Sequence, residues 1–301
     1  MRGIGKRAYK PLMDKVHIIA GPTASGKSGR ALELAEKHDG VIINADSLQI
    51  YQDLPMLSAC PSAEDRALAP HKLYAFLQAE EVYSAQIWRE AAEIEIREAR
   101  AQGKTPIICG GTGFYILALT RGLSPIADVP DAVRDKFIAL AKEQGSQSLH
   151  AILSQCDPVA AARLHPNDTQ RLIRACEVFE ATGKTITHWQ SLPRSGAIKG
   201  IDFNVEIIMP ERALLHERCN LRFELMVQNG VLDEVQALDQ RIKSGEISPD
   251  AAVTRTLGFG PLQRYINGDI PLDEAITLAK IDTRQYAKRQ STFFNNQQLT
   301  D

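Results

Sequence analysis

The 301-residue chain lacks the marks of a disulfide scaffold, a zinc module or a membrane protein. Its five cysteines, Cys60, Cys109, Cys156, Cys176 and Cys219, are scattered, odd in number and without a CxxC pair. That pattern excludes a disulfide framework or a zinc site and reads as reduced thiols in a cytoplasmic protein. No apolar run approaches the roughly 20 residues a spanning helix needs, so no membrane role is expected. Excess charge is also missing. The formal net charge is −2, so any nucleic-acid surface must be a local patch. The first ten residues hold Arg2, Lys6, Arg7 and Lys10 and no acid, but no apolar core follows, so they read as a basic arm rather than a secretory signal. Repeats and low-complexity segments are absent. What remains, 44% hydrophobic and 24% charged residues, suits a globular protein of about two domains.

Against that background one stretch stands out. Residues 16–20 form an apolar, strand-like run, and residues 30–37 have a helical pattern. Between them lies Gly21-Pro22-Thr23-Ala24-Ser25-Gly26-Lys27-Ser28, which fits the G-x-x-x-x-G-K-[ST] phosphate-binding loop in its strand–loop–helix setting. The glycines let successive N–H groups converge on one anion, and the following helix adds its N-terminal partial charge. Lys27 adds a full charge, and the Ser28 hydroxyl can ligate magnesium. The loop predicts a phosphorylated ligand without saying which.

Further strand-like runs at 41–45, 106–109 and 203–209 are rich in β-branched residues and nearly continuous in apolar character, as in a parallel sheet covered on both faces. Helical patterns between them, including 85–102, predict an α/β fold with a P-loop core and parallel sheet. From about residue 125 strands give way to amphipathic helices at 131–143, 148–156 and 168–182. We therefore expect a catalytic core of residues 1–125 plus 200–301 and an all-helical insertion, 126–199. The core should end in helices over 212–229, 232–244, 250–267 and 272–294.

Chemistry-bearing residues cluster at predicted strand ends, where an open α/β sheet forms its ligand crevice. Asp46 follows the second strand and can act as a general base, bind magnesium through water, or simply cap the next helix. Gly110-Gly111-Thr112 follows the third and is either a substrate approach or a tight turn. Gln170, Arg171 and Arg174 share one helical turn, suited to phosphate or base contacts or to a solvated face. Arg284, Lys288 and Arg289 lie on a basic helix with Tyr286 and Phe293 nearby, a plausible nucleic-acid surface. Arg218 and Arg222 lie one turn apart before Phe223, where an arginine can clamp a departing diphosphate.

Together, GPTASGKS at 21–28, INADSLQIY at 43–51, CGGTGFY at 109–115, LHPNDTQRLIRACEVFEATGK at 164–184 and TRQYAKRQ at 283–290 closely resemble the tRNA dimethylallyltransferase family, in the family's order. The resemblance implies transfer of a dimethylallyl group from dimethylallyl diphosphate to N6 of the adenosine 3′-adjacent to a tRNA anticodon, with magnesium (Mg2+) as cofactor. The loop would then hold the prenyl donor rather than ATP. By the same resemblance Asp46 is the general base, Thr23 the hydroxyl beside the reacting centre and Arg222 the arginine of a family motif. Asp46, Ser47, Leu48, Gln49 and Thr112 would contact the flipped nucleotide. Gln170, Arg171, Leu172, Ile173 and Arg174, with Arg284, Lys288 and Arg289, would contact the anticodon stem-loop of a tRNA bound by a monomer. The chain departs from the family at Leu57-Ser58-Ala59-Cys60-Pro61, where G-T-A-K-P is usual. Two other readings stay open: a P-loop kinase of a small metabolite, and a non-catalytic RNA-binding protein that senses nucleotides.

Overall fold

The computed structural model describes residues 15–297 and 299, so the basic arm expected over residues 1–10 lies outside the described residues. The chain opens with β1 (Lys15–Ala20), α1 (Lys27–His38) and β2 (Gly40–Asn44). Then come α2 (Ala63–Leu68), β3 (His71–Lys72), α3 (Ala85–Ala101), β4 (Thr105–Gly110) and α4 (Gly113–Arg121). A run of helices follows: α5 (Asp131–Gln144), α6 (Ser146–Cys156), α7 (Pro158–Arg163), α8 (Thr169–Thr182) and α9 (Ile186–Ser191). The last part holds β5 (Asp202–Ile207), α10 (Arg212–Gln228), α11 (Val231–Lys243), α12 (Phe259–Ile266) and α13 (Leu272–Asn296).

All five strands pair in parallel, in the order β3-β2-β4-β1-β5. The burial pattern explains the unbroken apolar runs. Val16, Ile18 and Ala20 of β1 and Ile108 of β4 pack on one face with Trp88, Ala92 and Ile96 of α3 and Ile116 of α4. Ile19, Ile107 and Ile42 point the other way, into Ala31, Leu34 and Ala35 of α1. Alternate residues of one strand thus serve two cores, which leaves little room for polar side chains. The tight β2–β4 approach needs glycine: a Cβ on Gly110 would lie 2.1 Å from the Ala45 carbonyl oxygen.

A further core joins Phe223 and Met226 of α10, Val235 and Leu238 of α11, Leu262 of α12 and Ala275 and Ala279 of α13 with Ile50, Leu54 and Leu57. Here the expected single helix over 250–267 is corrected. A short 3-10 turn, Ala252–Arg255, is separated from α12 by Gly258 at φ 88°. A Cβ there would meet the Phe223 ring at 2.6 Å, so glycine both breaks the helix and admits the aromatic. The two-residue β3 carries too short a signal for periodicity to reveal.

The chain divides into two compact units, one running up to Arg121 and resuming at Ile198, the other Gly122–Ala197. The second unit is helical and has its own core, built from Phe137, Leu149, Leu153, Leu172, Ala175 and Cys176. Buried Asp157 caps α7 through the Ala160 N–H (3.0 Å) and also accepts from the Thr187 N–H (3.0 Å) and hydroxyl (2.8 Å), tying α9 to α7. Among the described residues no helix is long and apolar enough to cross a membrane.

Candidate active site

The loop at the end of β1 is shaped by close approach. A Cβ on Gly21 would sit 2.5 Å from the Ile208 carbonyl oxygen, so only glycine fits between β1 and the end of β5. Gly26 stands at φ 97° before α1, and no side chain caps that helix. The N–H groups of its first turn are therefore left for a bound anion.

Two cations converge on this loop without neutralisation. Lys27 is buried, and its Nζ donates to the Pro22 carbonyl at 3.3 Å. Arg222 of α10 is half-buried and donates to the Thr23 hydroxyl at 2.5 Å. Neither makes an ion pair among the described residues. Burial pushes both pKa values below their ordinary values. Asp46 is the largest opposing influence at Lys27, and Cys219 and then Asp46 oppose the shift at Arg222. Arg218, exposed one turn before Arg222, donates to the Ser25 carbonyl at 3.3 Å. Cations held at the loop with no ion pair of their own mark a place where a ligand supplies the negative charge.

Asp46 is held by its neighbours. Its N–H donates to the Asn44 side-chain oxygen (2.8 Å), and its Oδ1 accepts the Leu48 N–H (3.0 Å). Asn44 is fully buried and fixed in turn, donating to Leu73 (2.9 Å) and accepting the Trp88 indole N–H on its carbonyl (2.7 Å). Asp46 Oδ2 has no hydrogen-bond partner among the described residues. The carboxylate therefore closes a turn with one oxygen and offers the other. The Thr112 hydroxyl oxygen accepts the Ser47 N–H at 3.0 Å, so Thr112 fixes this turn from the end of β4.

Two adjoining cavities share Thr23, Asp46, Ser58 and Arg222. One lies over the loop and is lined by residues 23–29, Gln49 and Arg218. The other has an apolar wall of Leu48, Leu57, Phe223, Met226 and Leu257 beside Cys219, Thr256, Thr283 and Tyr286. A cationic compartment over the loop thus meets one of mixed lining, with an apolar wall, at Thr23, Asp46 and Arg222.

A family model described as IPP transferase matches residues 49–297 of the chain. The chain belongs to the IPP transferase family. It is 43% identical over 294 residues to a tRNA dimethylallyltransferase of Azorhizobium caulinodans, covering 98% of this chain and 93% of that one. It is 47% identical over 280 residues to the protein of that name from Methylocella silvestris, covering 93% and 91%. Among solved structures, the tRNA isopentenylpyrophosphate transferase of Bacillus halodurans is similar, with TM-score 0.64 and 30% identity over 95% of this chain and 88% of that one. A eukaryotic dimethylallyltransferase, described as acting on tRNA, aligns with TM-score 0.76 and 27% identity over 93% of this chain and 70% of its own. The parallel sheet, the loop and the helical complement are those of an IPP transferase.

At residues 56–59 two neighbours grip the backbone. Glu234 of α11 accepts the N–H groups of Met56 (2.8 Å) and Leu57 (2.9 Å), and Gln49 donates to the carbonyls of Ser58 (3.0 Å) and Ala59 (2.7 Å). Leu57 is thereby buried in the apolar wall of the second cavity. Cys60 donates its thiol to the Gln49 carbonyl (3.4 Å), and burial pushes its pKa up to about 11.

The residues expected at tRNA behave unequally. Gln170, Arg171 and Arg174 are exposed on α8; Arg171 pairs with Asp168 at 3.3 Å and Arg174 with buried Glu177 at 2.6 Å. Leu172 is fully buried in the core of the second unit, and Ile173 packs against that core. The expected Leu172 contact is therefore corrected, because its side chain has no surface to offer. On α13, Lys288 and Arg289 are exposed, with Arg289 5.5 Å from the Tyr286 ring centroid, while Arg284 donates to Asn220 at 2.6 Å.

Sequence reasoning missed two contributors. The apolar wall of Met226 and Leu257 has no local motif. Gln290 was grouped with a surface stretch, yet Ala279, Thr283, Ala287, Gln290 and Phe294 recur at helical spacing and are all buried. With Thr283 and Gln290 polar, that spacing carries no hydropathy signal that could have placed Gln290 inside.

Proposed function

We propose that these residues carry out prenyl transfer to tRNA, from dimethylallyl diphosphate to N6 of the adenosine 3′-adjacent to the anticodon. The observation carrying this reading is the junction at Thr23, Asp46 and Arg222 between a cationic cavity and one walled on one side by Leu48, Leu57, Phe223, Met226 and Leu257. A donor with a diphosphate at one end and a five-carbon hydrocarbon at the other fits that division. The second reactant comes from the family: its members act on tRNA by name.

The loop N–H groups, Lys27 and Arg218 hold the diphosphate, and Leu57, Phe223 and Met226 enclose the prenyl chain. The adenine leaves its stack to reach the junction. A bond forms between N6 and the prenyl C1 while the C1–O bond breaks, and the diphosphate departs with the electron pair. Asp46 takes the N6 proton, needed because an aromatic amine is a poor nucleophile. Thr23 and Arg222 meet the charge developing on the leaving oxygen.

Magnesium fits this donor set. The described residues contain no cluster of three or more acidic, histidine or cysteine ligands, so an all-protein cage is missing. A magnesium site shared by substrate phosphates, water and one hydroxyl needs none. Ser28, exposed in the first turn of α1, would hold it, and the ion would screen the diphosphate charge. Gln170, Arg171 and Arg174 of the helical unit, and Lys288 and Arg289 of α13, supply contacts to the anticodon stem-loop.

The test incubates the protein with dimethylallyl diphosphate, magnesium and unmodified tRNA, then digests the tRNA for nucleoside mass spectrometry. A prenyl mass increment on adenosine is expected, lost in Lys27→Ala. ATP consumption without that increment would overturn the reading in favour of a kinase.

A further inference from the structure

We propose that Gln290 is a positioning residue that sets the reactive orientation of Thr23; this rests on the reaction proposed above. Gln290 lies on α13, 5% exposed, and makes two hydrogen bonds to parts of the chain far from it in sequence. Its Oε1 accepts the Thr23 N–H at 2.7 Å, and its Nε2 donates to the Gly111 carbonyl at 2.9 Å. An N–H only donates and a carbonyl only accepts, so these partners fix which way the amide faces. Gly111 is shaped to it: a Cβ there would lie 2.3 Å from the Gln290 Nε2.

The consequence falls on Thr23. In a phosphate loop the N–H groups ordinarily aim at the anion. Here the Thr23 N–H is instead fastened to α13, donating to Gln290. Its hydroxyl faces Arg222 and both cavities. Thr23 is therefore gripped at two points, its backbone by Gln290 and its side chain by Arg222. The second bond of Gln290 ties the same clasp to the turn after β4, two residues from the start of α4. One amide thus links the loop, the β4 turn and α13 at the junction where the C–O bond breaks. Gln290 itself touches no reacting atom, and its burial leaves it no face for tRNA.

The test compares wild type with Gln290→Met, which keeps length and shape but makes neither bond, and Gln290→Glu, which keeps only the acceptor. Single-turnover prenyl transfer and steady-state kcat and KM are measured, with Tm recorded in parallel. Gln290→Met is expected to lower kcat about 10- to 100-fold, the scale of a small misplacement in a reacting centre, with the KM for tRNA unchanged. In a Thr23→Val background the same change should have almost no further effect, because its route runs through the lost hydroxyl. Gln290→Glu should recover relative to wild type as pH falls and the carboxyl regains a donor for Gly111, a response that packing alone does not give. Unchanged kcat with a lowered Tm would overturn the inference, as would a raised KM for tRNA at constant kcat, or additive losses with Thr23→Val. A wild-type protein that makes no prenyladenosine would overturn the reaction itself, whereas an active wild type matched by both variants would overturn only the role of Gln290.

Discussion

Replacing Lys27 by Met should make the ligand-free protein more stable while nearly abolishing its activity. Lys27 is 9% exposed, has one weak backbone acceptor at 3.3 Å and no ion pair among the described residues. Its charge is held in place against a desolvation penalty of several kcal/mol. Met is unbranched and close in length, so it fills the same channel without that penalty. A net gain of about 1 kcal/mol, after the lost Pro22 contact, corresponds to about 2–4 °C in Tm for a unit of this size. Inorganic diphosphate should separate the two proteins further. At a hundredfold excess over its Kd, wild type should gain about 2.7 kcal/mol, and the variant much less. Turnover should fall about 10²- to 10³-fold, as for removal of one donor to a developing oxyanion. The pH dependence follows from the same burial. The pKa of Lys27 lies below its ordinary 10.5 in the folded state, so between the two values the unfolded chain binds more protons. The wild-type stability contribution from this group therefore rises with pH across that window, and the rise disappears in Lys27→Met. The assay is thermal unfolding with and without diphosphate across pH, beside nucleoside mass spectrometry for turnover. A Tm lowered by several degrees without ligand would refute the reasoning, because Lys27 would then be holding the fold rather than awaiting an anion.

The remaining predictions address the base, the pocket and the nucleic acid. Asp46→Asn should reduce kcat about 10²- to 10⁴-fold with little change in Tm, since the amide oxygen still accepts the Leu48 N–H; single-turnover rates and unfolding curves check both halves. Leu57→Gly should open the apolar wall and raise turnover with geranyl diphosphate relative to dimethylallyl diphosphate; an unchanged ratio in a competition assay would remove Leu57 from the pocket wall. Arg171→Ala with Arg174→Ala should raise the KM for tRNA and flatten its salt dependence by about two phosphate contacts, leaving kcat intact, as read from titrations at several ionic strengths.

What the sequence made legible follows from the range over which each signal acts. The loop 21–28 is a local device, with its glycines, lysine and serine in one octet and strand and helix on either side, so residues and setting can be read together. The same holds for the strands, whose near-continuous apolar runs report that both faces are covered. The site is harder, because its parts meet only through the fold. Asp46 was visible as a carboxylate at a strand end, but its role was ambiguous between helix cap and base. The structure removes the cap reading: one Asp46 oxygen accepts the Leu48 N–H in a turn, the next helix is α2 with Ser62 as its cap, and buried Asn44, held by Trp88 from α3, fixes that turn. Gln290 was illegible for a different reason. Its neighbours Arg284, Lys288 and Arg289 are basic, so composition argued for a surface, and the buried stripe beneath them is composed partly of Thr283 and Gln290, which a hydropathy scan does not count as core. Polar residues that complete a core by bonding to loops distant in sequence escape both motif and periodicity. They become visible only when the N–H of Thr23 and the carbonyl of Gly111 arrive on either side of one amide.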